Sequence, residues 1–129
     1  MREILFRGKR LDNGNWVQGS IFTRINEVYI FPLPITTSKS EVDPATVGQY
    51  TGLTDKNGKK IFEGDVIALE RGWGEKVIYT IEYDTECCCF IGDSVNYIGF
   101  TTFENDGDRI EVIGNIHDNP ESLGGADNG

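Results

Sequence analysis

Gly48-Gln49-Tyr50-Thr51-Gly52-Leu53-Thr54-Asp55-Lys56-Asn57-Gly58-Lys59-Lys60-Ile61-Phe62-Glu63-Gly64-Asp65-Val66-Ile67 decides how this chain is to be read. Asn57-Gly58 is the kind of dipeptide that supplies positive φ at both centres of a tight turn. The strand-like Val47-Gly48-Gln49-Tyr50-Thr51 leads into the motif, and an Ile61-Phe62 pair and an apolar strand entered through Gly64-Asp65 follow the turn. In that setting the turn pins the register of a hairpin, and the Asp65 carboxylate can serve amide groups that the turn leaves without a partner. The stretch therefore reads as scaffold: short strands and turns, not helices.

The same grammar extends both ways. Upstream, Ile4-Leu5-Phe6-Arg7 and Trp16-Val17-Gln18-Gly19-Ser20-Ile21-Phe22 are predicted to pair as a hairpin across Asp12-Asn13-Gly14-Asn15, with Val28-Tyr29-Ile30-Phe31 as a third strand stopped by Pro32. Residues 35–46 read as a long surface loop, in which Asp43-Pro44-Ala45-Thr46 is able to start one helical turn. Downstream, Val77-Ile78-Tyr79-Thr80-Ile81-Glu82-Tyr83 is apolar at nearly every position and is expected to be a central strand buried on both faces. Residues 87–91 and 95–103 are two further strands, and Glu104-Asn105-Asp106-Gly107-Asp108 a turn before residues 109–116, the last strand. Period two places Cys87 and Cys89 on one face and Cys88 on the other, as small buried residues. With 129 residues and 16 glycines the chain suits one domain of many short strands, expected over 1–121 with a flexible tail at 122–129.

Charge is unevenly placed. Residues 1–74 carry 10 basic and 9 acidic side chains, residues 75–129 only 2 basic and 12 acidic. A field of that sign repels phosphate backbones, so non-specific nucleic-acid binding is disfavoured. The basic residues Arg2, Arg7, Lys9 and Arg10 with Trp16 form a small cationic, aromatic patch in the first hairpin, for which a solvated sheet edge is the plainer account. Arg7, Arg10, Trp16 and Trp73, the last in the turn Arg71-Gly72-Trp73-Gly74, are the candidate interaction residues. No apolar run approaches the roughly 20 residues that span a bilayer, and three adjacent cysteines are no spread disulfide framework, so an intracellular protein without membrane contact is expected.

Tests for chemistry fail on spacing. If Gly58 is the invariant glycine of a calcium loop, its first and twelfth ligands fall on Leu53 and Gly64; if Gly107 is, they fall on Thr102 and Ile113. Gly52 and Gly58 enclose five residues where a phosphate loop needs four, and Val77 stands where a dinucleotide fingerprint needs its third glycine. His117 is the single histidine, beside Asp118 but with no nucleophile assigned to it, and it has none of the spaced partners of a zinc site. Glu82, between Ile81 and Tyr83, is explained as a solvent-facing strand position. No catalytic residue, cofactor or metal is expected.

Three blocks together resemble the YopX family of small phage and prophage proteins: residues 1–8 with Trp16-Val17-Gln18-Gly19, residues 47–66, and residues 110–116 with Asn119-Pro120-Glu121. The family motif, structural in this reading, comprises Thr51, Gly52, Leu53, Asp55, Asn57, Gly58, Ile61, Glu63, Gly64, Asp65, Gly114 and Asn115. The resemblance implies an all-β, SH3-like small barrel with extra strands and long loops, and it carries no established activity. The expectation is a phage-encoded, non-catalytic interaction or assembly module in the cytoplasm of the bacterial host, a homo-oligomer or a binder of a host or phage protein. The alternative is a nucleic-acid-directed protein, either a weak binder through the basic hairpin or an acidic decoy of a host DNA-binding protein.

Overall fold

A computed structural model describes residues 3–32, 38–70, 74–86, 88–94 and 109–118. The chain is all-β, with ten strands and one short 3-10 turn among these residues: β1 (Phe6–Lys9), β2 (Trp16–Arg24), β3 (Glu27–Pro32), β4 (Ser40–Val42), the turn Pro44–Thr46, β5 (Gly48–Thr54), β6 (Lys60–Phe62), β7 (Asp65–Glu70), β8 (Lys76–Asp84), β9 (Cys89–Ser94) and β10 (Ile110–Asn115). They form two antiparallel sheets, ordered β4-β3-β2-β1-β5-β6 and β10-β7-β8-β9. By compactness the chain divides into Met1–Gly52 and Leu53–Gly129.

In the first unit the alternation of β2 and β3 sorts side chains onto two faces. Ile21 faces Ile30 and Val28 faces Val42 across the ladders, and Ile30 and Val42 are fully buried. The register leaves Gly19 opposite Pro32. A Cβ there would lie 1.8 Å from the Phe31 carbonyl oxygen, so only glycine fits. The 35–46 segment, expected to be loop, contains β4: Val42 is apolar enough to be drawn into the core, and three residues pair with β3. The helical turn expected at Asp43-Pro44-Ala45-Thr46 forms as a 3-10 turn, its Ala45 amide donating to Asp43 Oδ1 at 3.1 Å. Thr46 Oγ1 in turn accepts from the Lys9 amide at 2.9 Å.

In the second unit β7 is the strand shielded on both faces, from Asp65 through Leu69. One face carries the core of Ile61, Ile67, Leu69, Val77, Tyr79, Ile81 and Ile110, against which Leu53 and Val112 pack. β8 is enclosed from Val77 to Ile81 except at half-buried Ile78, but Glu82 and Tyr83 emerge into solvent, so the expected two-sided burial stops short of its end. The cause is register: Val66 to Glu70 pair with Thr80 back to Lys76, and β7 contributes nothing beside Glu82 and Tyr83.

Two further expectations are corrected, and the barrel is not confirmed. Neither sheet closes among the described residues, and the SH3-like barrel is not confirmed; β4 is too short to make a second ladder and meets the end of β1 at one bridge, Arg10 to Val42. The Asn57-Gly58 turn has positive φ only at Gly58, +81°, because Lys56 and Asn57 form the centre of a turn closed from Gly58 N to Asp55 O at 3.0 Å, with Gly58 as the left-handed residue that follows. Cys88 lies in the β8–β9 turn, exposed and at φ +56°, and Cys89 is half-buried. A turn has no period of two, so the alternation expected for these cysteines does not apply. Cys87, Trp73, the strand expected at 95–103 and the 122–129 tail lie outside the described residues.

Candidate functional site

The motif that organises the sequence is held by two buried carboxylates. Asp55, 6% exposed, accepts at Oδ1 from the amides of Asn57 and Lys59, both at 2.9 Å, and at Oδ2 from the amide of Val112 at 3.0 Å. The first two bonds shape the turn. The third reaches 57 residues along the chain to β10. Beside it the Lys56 amide donates to the Ile110 carbonyl at 2.9 Å. The outer edge of β10 thus finds a neighbour, one of whose acceptors is a side chain standing in for a backbone carbonyl. Burial opposes ionisation of Asp55, yet the amides of Val112, Lys59 and Asn57, with the Lys59 charge, outweigh it and hold the carboxyl below its usual range.

Asp65, 1% exposed, accepts the Phe62 amide at Oδ2, 2.8 Å away, and fixes the turn between β6 and β7. Gly64 joins the same framework: its amide donates to the Ile81 carbonyl and its carbonyl accepts from Ile116, both at 2.9 Å. Gly114 and Asn115 pair with Val66 and Asp65 after a one-residue bulge at Ile113. That bulge leaves Ile113 42% exposed. Sequence reading located these residues but not the reach of Asp55, because nothing local to residue 55 signals a partner near residue 112.

A second constellation lies in the first unit. Directly opposed residues share a face, so Arg7, Lys9, Trp16, Gln18, Phe22, Arg24, Glu27 and Tyr29 line one side of β1, β2 and β3, with Glu41 of β4 beside Tyr29. Gln18 and Arg24 are exposed and Phe22 is 46% exposed. The Arg7 guanidinium lies 4.6 Å and Lys9 Nζ 5.6 Å from the Trp16 ring centroid, and Lys39 Nζ lies 5.0 Å from that of Tyr29. Such cation–ring contacts contribute roughly 0.5–1 kcal/mol each where exposed. The Tyr29 hydroxyl donates to Glu27 Oε1 at 2.9 Å, and this carboxylate, ahead of burial, raises the phenol above its ordinary pKa. Of the sequence candidates, Arg7 and Trp16 meet on this face, whereas Arg10 engages Asp12 at 2.7 Å in the adjoining turn. Phe22, Tyr29 and Lys39 join the face only through strand register, which sequence reading did not supply.

A third group is anionic. Thr80 faces Asp93 and Glu82 faces Ile91, so Glu82 and Asp93 are diagonal neighbours on one face of β8 and β9. Burial first, then the charge and hydrogen bond of Asp93 and the charge of Glu63, raise the Glu82 carboxyl above its usual pKa. Among the described residues no cluster of three or more His, Cys, Asp or Glu side chains is placed to hold a metal, and no helix is long and apolar enough to cross a membrane.

Two antiparallel sheets, open among the described residues, and a turn motif with buried carboxylates give an all-β fold. The family model described as YopX protein matches residues 6–124, and the chain belongs to the YopX family. No curated protein matches it. Among solved structures it is similar to protein EF1440 from Enterococcus faecalis, with a TM-score of 0.58, 20% identity, and coverage of 95% of this chain and 99% of that one. At that identity the likeness speaks to fold alone.

Proposed function

We propose that the chain is a non-catalytic interaction or assembly module encoded by a phage or prophage and acting in the cytoplasm of the bacterial host. The observation that carries this reading is the open face of β2 and β3, where Phe22 and Arg24 remain exposed beside Trp16 and Tyr29. Its complement is the use made of Asp55 and Asp65: both aspartates of the motif serve backbone amides, as scaffold residues do. An SH3-like small barrel with extra strands and long loops is the finer structural reading of the fold, supported by the Arg10–Val42 bridge that brings β4 to the end of β1. Sedimentation of the purified chain and affinity capture from phage-induced host cells test the function together; a strict monomer that captures nothing removes the reading.

A second reading, direct nucleic-acid binding, is favoured by one observation, the Arg7 and Lys9 cations over Trp16. It predicts an electrophoretic shift at low salt that falls steeply as salt is added. The acidic-decoy form predicts capture of a host DNA-binding protein that is lost when Asp84, Glu86 and Asp93 are neutralised.

A further inference from the structure

We propose that the cation-bearing aromatic face of β2 and β3 is a docking surface for a second copy of this chain, which offers it the acidic end of the β8–β9 hairpin. The inference rests on the interaction-module reading and names its partner. An antiparallel sheet face open to water is ordinarily polar. Here Trp16, Phe22 and Tyr29 share such a face with Lys9, Arg24 and Lys39 and with the carboxylates of Glu27 and Glu41, and cations lie over two of the three rings. Phe22 is exposed and Trp16 and Tyr29 half-buried, a grouping of rings and cations unlike singly scattered surface aromatics.

The cations select an anionic occupant, and the rings decide between a nucleic acid and an acidic protein surface. Bases bind sheet faces by stacking on bare rings. Trp16 and Tyr29 already carry Lys9 and Lys39 over them, and with Arg7 and Arg24 the face holds four cations against the carboxylates of Glu27 and Glu41, so it suits added carboxylates better than bases. The chain itself supplies those carboxylates. Leu53–Gly129 holds 16 acidic against 6 basic residues. Glu82, Asp84 and Asp93 lie on one face of the β8–β9 hairpin, with Glu86 exposed at its turn. Burial first, then the crowding of Glu82 against Asp93 and Glu63, raises its pKa, and the crowding is what an arriving lysine or arginine relieves. The net charge of −9 on each copy opposes association at long range, but at physiological ionic strength the screening length is about 8 Å, so contact pairs outweigh the distant field. The two surfaces differ, so the contact is heterologous and generates a ring or an open chain of copies.

The test is sedimentation equilibrium of the full chain at physiological salt with two variants made only at exposed positions: Phe22→Ser/Arg24→Glu/Lys39→Glu, and Glu82→Lys/Glu86→Lys. Circular dichroism melting confirms that each is folded, and the single changes Lys39→Glu and Glu86→Lys replace any that is not. Wild type is expected to form concentration-dependent assemblies, each variant alone to weaken association by at least about tenfold, and an equimolar mixture to give a 1:1 pair through the one intact surface of each. Association that neither variant disturbs overturns the proposal. So does fluorescent oligothymidylate that binds wild type and not the β2–β3 variant, which would assign the face to nucleic acid. A monomeric wild type that still captures a host or phage protein overturns this inference alone; a monomer that captures nothing overturns the interaction reading as well.

Discussion

Asp55 serves three backbone amides with one carboxylate, and its replacement by alanine strands the Val112 amide inside the second unit. Asp55→Ala is expected to lower stability by about 3 kcal/mol in urea unfolding, since an unsatisfied buried donor costs roughly 1–3 kcal/mol and the turn loses two further bonds. The folded carboxyl titrates below its unfolded value, so its contribution is complete above the unfolded pKa, near 4, and fades as pH falls through the folded one. The gap between wild type and Asp55→Asn should therefore be constant at neutral pH and shrink below about pH 4. Glu82 has the opposite sign. Its folded pKa is raised, so its favourable, protonated form prevails below the unfolded pKa and is lost as pH rises through the folded one. Glu82→Gln should stabilise the protein at pH 7 by about 0.5 kcal/mol, a screened cross-strand repulsion, and lose that advantage in acid; thermal melts at the two pH values measure it. Sequence reading found Asp65 as a turn acceptor because its amide partner, Phe62, lies three residues away. It placed Glu82 facing solvent but not beside Asp93, whose proximity depends on the β8–β9 register.

Among elements, those with a clean alternation or a local stop signal were legible: β2, β3, β8 and the Asp43–Thr46 turn all form where the residues predict them. β4 and β6 were not, because three-residue strands carry too few alternations to be told from loop, and their place depends on Val42 and Ile61 being drawn into cores assembled from distant strands. The Asn57-Gly58 turn was located correctly and given the wrong geometry, because the Asp55 side chain, two residues upstream, selects it. Gly19 belongs at this scale too. Its reason is the neighbouring strand: the Phe31 carbonyl occupies the space a side chain needs. Gly19→Ala should cost at least about 3 kcal/mol, at the upper end of overpacking penalties, because backbone cannot give way as a side-chain end does. Chemical denaturation of Gly19→Ala beside an exposed control, Gln18→Ala, checks it; equal midpoints would refute the steric argument.

Over the whole molecule the charge asymmetry has a measurable consequence. Leu53–Gly129 carries ten more acidic than basic residues, and self-repulsion of that size destabilises a compact state. Raising salt from roughly 0.01 M to roughly 1 M, which shortens the screening length from about 30 Å to about 3 Å, should raise the melting temperature, and the gain should shrink in a variant with Glu75, Glu86 and Glu111 changed to glutamine. That the two halves of the chain differ in charge is plain in the sequence. One bond described above also bears on how the protein is made. Residues 112 and 55 are joined by the Asp55 carboxylate, so a chain emerging from the ribosome displays Asp55 long before Val112 exists. The edge that β10 will fill stays open through that interval, and non-local contacts of this kind form slowly. Co-translational misassembly, in which an unfinished copy borrows a strand from a neighbour, is the hazard particular to this architecture, and the fully synthesised chain removes it by closing its own clasp.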